Sequence, residues 1–244
     1  MNRKGKFIII FVLLIIVIVF FYFFRDGLIK KSTQTEINDI SDVVNISERK
    51  INEENFYGSV PEISGFGMLA EKAKKYIEET VSNFKQRADA EVPEMKKKFG
   101  VDSPPATFIL DIKAKIEEGQ KTKSIVFSEY YYTGGANGMD IYTVFTSDIK
   151  SGDIVSLSDI IKKEKLNEFT LFVKSKLFDW YSLDASNNNI FLEEIEDLTF
   201  ESFLDWSMDE KNLTIYFDKY EIGPGVLGAM PFYLSLSEIA DYIK

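Results

Sequence analysis

The stretch SIVFSEYYYTGGANGMDIYTVFTSDI, residues 124–149, decides the fold. Two runs rich in Val, Ile, Tyr, Phe and Thr flank Gly134-Gly135-Ala136-Asn137-Gly138. β-Branched and aromatic residues suit a pleated, half-buried surface, and glycines allow the backbone of a tight or bulged hairpin. The stretch predicts strands over Ser124–Thr133 and Gly138–Ile149. On the first, Tyr130 and Tyr132 share one face, while Tyr131 joins Phe127 and Glu129 on the other.

Upstream, Thr107–Ile116 alternates apolar and polar residues, a half-buried strand followed by a turn at Glu117–Gln120. Before it, Leu69, Ala73, Tyr76, Ile77, Val81 and Phe84 recur at helical spacing, which predicts a helix from Phe66 to about Ala90, ended or broken by Pro93. Downstream, a turn at Lys150–Asp153 precedes a capped helical start at Leu157-Ser158-Asp159. Leu166, Phe169, Thr170, Val173, Leu177 and Trp180 then mark a second amphipathic helix. Phe203–Ser207 and Leu213–Phe217 read as a closing hairpin, Phe232–Leu236 as a last strand, and Ser237 as the cap of a terminal helix over Glu238–Ile243. These elements predict one α+β domain over 57–244, an antiparallel sheet with helices packed on one face.

Toward the N-terminus the character changes. Residues 25–56 are polar and read as a linker. Phe7–Phe24 is an unbroken apolar run of 18 residues, about 27 Å as a helix and enough to span a bilayer core. A cleaved signal peptide is the competing reading, but this run ends Phe-Tyr-Phe-Phe-Arg-Asp, without small residues for cleavage. The expectation is a single-pass signal anchor at 7–24. Residues 1–6 form a short cytoplasmic leader, and the C-terminal domain lies outside the cytoplasm at the plasma membrane.

The formal charge is −10, from 29 basic and 39 acidic residues. Six bases and one acid fall within the first 31 residues, so the remainder carries 23 bases, 38 acids and a net −15. That balance argues against nucleic acid as partner. The chain has no Cys and no His, which excludes disulfides, thiol or Ser-His-Asp nucleophiles and sites built on Cys or His ligands. No cofactor or metal is implied.

Three motifs are candidates for function. The first is Tyr130, Tyr131, Tyr132, Gly134, Gly135, Asn137 and Gly138, either a structural hairpin or a tyrosine-rich recognition surface. It is not a phosphate cradle, since no Lys follows and no helix opens from it. The second is Phe217–Gly225 with Tyr220, Glu221 and Pro224, a rigid crossover loop or a rim that meets a partner. The third is a run of ten acids without Lys or Arg from Leu177 to Glu210, including Glu193, Glu194, Glu196 and Asp197. It is a solvated face or a footprint for a cationic partner. Asp184–Asn189 offers oxygen donors but lacks the glycine and closing glutamate of a calcium loop. Carboxylate pairs could hydrolyse glycosides, but in so acidic a chain a pair carries no weight.

At Tyr131–Gly138, Ile149–Ile160 and Ile215–Ile222 with its Gly/Pro loop, the sequence resembles the extracytoplasmic domain of RsiV-type lysozyme-sensing anti-sigma factors. The same kind of domain precedes some peptidoglycan deacetylases, and much of the family is of unknown function. The resemblance spans roughly 57–244. It departs at Asn137, where the family loop usually has His, and this excludes any role of that side chain in a pH response or metal contact. Only six residues precede the apolar run, too few for a sigma-binding segment, and no deacetylase module follows the domain. The resemblance implies a non-enzymatic sensing or binding module. Its expected ligand is lysozyme or another cationic wall-active protein, with cell-wall glycan as the alternative.

Overall fold

The computed structural model describes residues 43–100, 106–183 and 191–244. In its first half β1 (Val43–Asn52) and β2 (Phe56–Phe66) lead into the long helix α1 (Met68–Phe99), followed by β3 (Phe108–Glu118), β4 (Thr122–Thr133) and β5 (Met139–Asp148). Helices α2 (Leu157–Ile160), α3 (Leu166–Leu183) and α4 (Leu192–Asp197) then precede β6 (Trp206–Met208), β7 (Asn212–Phe217) and β8 (Met230–Ser235). The strands form a five-stranded sheet, β1-β2-β3-β4-β5, and a three-stranded sheet, β6-β7-β8.

The α+β class is as expected, but the large sheet is mixed. β2 and β3 run parallel from Phe56 against Phe108 to Ser59 against Asp111. The cause is α1, which links them: a crossover helix returns the chain to the end where β2 began. β2 escapes sequence reading because Gly58, Ser59, Pro61, Ser64 and Gly65 are poor strand formers. The polar linker drawn over 25–56 is also too long. Val43–Asn52 is a strand paired antiparallel with β2, and its polar residues lie on an edge that faces water.

Helices cover two faces rather than one. On one side α1 buries Leu69, Ala73, Ile77, Phe84 and Val92 against Phe108, Leu110, Ile125 and Phe127 of the large sheet. The opposite face meets the small sheet, where Val126 and Val144 pack on Tyr216. The small sheet turns Leu213, Ile215 and Phe217 the other way, onto Phe169, Val173 and Leu177 of α3. Strict alternation along β4 and β7 makes this layering: odd and even residues serve different cores.

Two further expectations fail. Pro93 lies inside α1. It costs one backbone hydrogen bond, while buried Val92 and partly buried Met95 hold the last turns on the sheet. Residues 238–243 form turns, not a helix. Ile243 bridges to Ile161, and the Lys162 N–H donates to the Tyr242 carbonyl at 2.8 Å, so pairing takes up this backbone. The span expected at 7–24, residues 25–42 of the linker and Asp184–Asn189 lie outside the described residues. Among the described residues no helix is long and apolar enough to cross a membrane.

Candidate binding site

The first two motifs meet. β4 and β5 are joined by the Gly-rich loop, and β7 runs into the Gly/Pro loop beside it. Lys219, at the start of the second loop, is buried. Its Nζ donates to the Gly138 carbonyl at 2.7 Å and lies 3.3 Å from Asp140 Oδ2, while its backbone N–H donates to the Asp140 carbonyl at 3.0 Å. Asp218 Oδ1 accepts the Tyr142 N–H at 2.8 Å, and Glu221 Oε2 accepts the Asp218 N–H at 2.7 Å. Two glycines let aromatic rings close over the loops. A Cβ at Gly138 would stand 2.2 Å from the Tyr130 ring, and one at Gly225 would stand 2.4 Å from the Tyr220 ring.

The assembly leaves a cleft of about 350 Å³ lined by Arg87, Tyr131, Asn137, Gly138, Met139 and Tyr220. Tyr220 is 49% exposed and holds a positive φ of 74°, the only such non-glycine among the described residues. Tyr130, Tyr131 and Tyr132 are each half-buried. The Tyr132 hydroxyl donates to the Gly135 carbonyl at 2.9 Å. Gly134, Gly135, Glu221 and Pro224 shape the loops without lining the cleft.

Beneath the cleft lies a polar network. Glu129 is 2% exposed and accepts the Tyr76 hydroxyl at 2.6 Å as well as that of Tyr131. Tyr76 also bonds Thr143 Oγ1 at 2.9 Å. Burial, and then the adjoining Glu129 carboxylate, pushes both phenols well above their usual range. They remain protonated donors that fix Glu129. Burial also raises Asp218 and Glu221, and it pushes Asp205 up to about 6.

The third motif adjoins the second loop. The Phe191 N–H, at the start of α4, donates to the Ile222 carbonyl at 3.0 Å. Glu193, Glu194, Glu196 and Asp197 are exposed, and none forms an ion pair among the described residues. Among the described residues no group of three or more acidic side chains is arranged to hold a metal ion. Lys219 falls inside the Phe217–Gly225 motif, but the sequence assigns it no role. The signal was a lone lysine between the loop's acids.

Known proteins match in two adjoining segments. Residues 46–140 fit the family described as Deacetylase PdaC, and residues 154–237 fit the family described as a protein of unknown function, DUF3298. A curated relative, the peptidoglycan-N-acetylmuramic acid deacetylase PdaC of Bacillus subtilis, is 28% identical over 131 residues, which is 53% of this chain and 28% of that protein. The chain therefore aligns with little more than a quarter of that relative. A solved DUF3298-family structure from Bacteroides fragilis superposes with a TM-score of 0.57 at 13% identity, over 84% of this chain and 95% of that one. Another, from Pseudomonas aeruginosa, gives 0.53 at 16% identity, over 85% and 96%. At such identity these structures bear on the fold alone. In its two matched segments the chain is similar to a domain of the deacetylase-associated type, in line with the resemblance at Tyr131–Gly138.

Proposed function

We propose that the chain is a single-pass, membrane-anchored binding module that faces the cell envelope and docks lysozyme or another cationic wall-active protein without catalysis. One observation carries this reading. Lys219 fastens the Gly-rich and Gly/Pro loops into one surface, and the start of α4, the helix that carries the exposed acids, is tied to that same surface by the Phe191 N–H donating to the Ile222 carbonyl. Such carboxylates attract and orient a basic protein, and Tyr220 supplies an aromatic anchor beside them. A second reading, binding of cell-wall glycan, is favoured by the relative whose name places it on peptidoglycan.

The test is the kinetics of the detergent-solubilised full chain on immobilised lysozyme over a range of salt. Replacing Glu193, Glu194, Glu196 and Asp197 by their amides should slow association and flatten its salt dependence. Each change should cost under about 0.5 kcal/mol of stability. Tyr220→Ala should speed dissociation, with a loss of about 2 kcal/mol. Absence of binding by the unaltered chain removes the lysozyme reading. Salt-resistant retention on purified peptidoglycan in its place selects the glycan.

A further inference from the structure

A larger cleft, of about 620 Å³, opens along the other end of β5. Thr143–Thr146 form one wall and Phe200–Trp206 the facing one, with Lys72 of α1 at the rim. A neighbouring cleft of about 570 Å³ shares Leu166, Phe200 and Glu201 with it and continues to Leu171, so the two form one groove. Two leucines stand out of this groove, Leu204 at 76% and Leu171 at 66% exposure.

Its polar groups are unbalanced. Asp159, Glu201 and Asp205 line the first cleft against Lys72 alone. Asp159 is engaged by the Ser156 N–H at 2.8 Å and its hydroxyl at 2.7 Å. Lys72 Nζ sits 4.7 Å above the Phe145 ring. Asp205 accepts the Val144 N–H at 2.6 Å. Among the described residues neither Asp205 nor Glu201 has a basic partner within ion-pair distance. A half-buried carboxylate without a counter-ion is costly, as the raised titration of Asp205 reflects, and a ligand cation would relieve that cost. Exposure chooses the class of ligand: Phe203 and Trp206 of this wall are buried and Lys72 covers the Phe145 ring, so the most open apolar groups are the leucines, which suit an apolar side chain more than the stacking face a sugar needs.

We propose that this groove docks an extended peptide segment of a partner protein, with a Lys or Arg held at Asp205 and Glu201 and an adjacent apolar residue lodged by Leu204 and Leu171. The bonds to Val144 and Thr146 already occupy part of the β5 edge, so side chains, not an added strand, make the recognition. The inference stands on this groove and is independent of the loop surface above.

The test probes an immobilised hexapeptide array, varied in basic and apolar positions, with the labelled full chain. Peptides with Lys or Arg beside Leu, Ile, Val or Phe should be enriched. Asp205→Asn and Glu201→Gln should each weaken those peptides about tenfold. Leu204→Ala should remove the apolar preference while the basic one stays. Urea midpoints check that each variant is folded; Asn at 205 keeps an acceptor for the Val144 N–H. No enrichment, or enrichment that the folded variants leave unchanged, overturns the proposal. So does Asp205-dependent binding of chitosan oligosaccharides in place of peptides, which would assign the groove to an amino sugar.

Discussion

Asp205→Asn should stabilise the protein, and only at higher pH. The carboxylate is desolvated between β5 and the Phe200–Trp206 segment, and burial lifts it from its ordinary 3.8 to about 6, although the Val144 N–H favours the ionised form. A folded pKa above the unfolded one means the folded state binds the proton more tightly. Ionisation therefore disfavours folding: the penalty is absent below about pH 4 and complete above about pH 6. At 1.36 kcal/mol per pH unit the rise corresponds to at most about 3 kcal/mol. Part of the group meets solvent, which lowers this to about 1–2 kcal/mol. Asn keeps the acceptor and removes the charge. Urea unfolding of wild type and variant should then give equal stability at about pH 4 and an advantage of about 1–2 kcal/mol to the variant at about pH 8. A variant less stable at the higher pH, or displaced equally at both, would show that Asp205 is not the unpaired carboxylate described.

Other positions test the loop surface. Lys219→Met leaves the Gly138 carbonyl without its donor and breaks the contact with Asp140, so it should cost about 1–3 kcal/mol and weaken lysozyme binding as well; unchanged stability and affinity would mean the two loops hold together without it. At Gly135 an added Cβ meets nothing within 4 Å, so the cost of Gly135→Val should come from its φ of +140° alone, about 1–3 kcal/mol in thermal or urea unfolding. An unaltered midpoint would place the strain of this loop elsewhere.

How much of this was legible in the sequence follows from where each signal resides. β3 could be read because every second residue is apolar, and β4 and β5 because they are rich in β-branched and aromatic residues; the turns between the three carry glycine. α1 and α3 were visible in three- and four-residue spacing, although α1 runs on past Pro93. β1 was hidden because an edge strand buries little: of its residues only Ile51 is buried. The parallel pairing of β2 with β3 was hidden because it depends on the crossover of α1, not on any local pattern. At the site, the residues of both loops could be named in advance but not their junction. That junction rests on Lys219 and Asp218 reaching residues 76 and more positions away in sequence, at Gly138, Asp140 and Tyr142.

The edge of β5 explains why both clefts lie where they do. An unpaired edge strand invites pairing with other chains, and proteins cover such edges. Here the cover comes from the second half of the chain. The Lys219 N–H donates to the Asp140 carbonyl, Asp218 accepts from Tyr142, Asp205 accepts from Val144, and the Val155 N–H donates to the Thr146 carbonyl. These four contacts fasten β5, within which the segment matched as PdaC ends at residue 140, to the segment matched as DUF3298. A seam closed by side chains and loops, in place of another strand, cannot be filled evenly. It leaves a tyrosine-lined cleft at the Lys219 end and the acidic, leucine-flanked groove at the Asp205 end. The two ends differ in strength. Lys219 brings its own positive charge to the Gly138 carbonyl and Asp140, whereas Asp205 brings a charge with no partner. The Asp205 end is therefore where a bound cation can most tighten the union of the two halves.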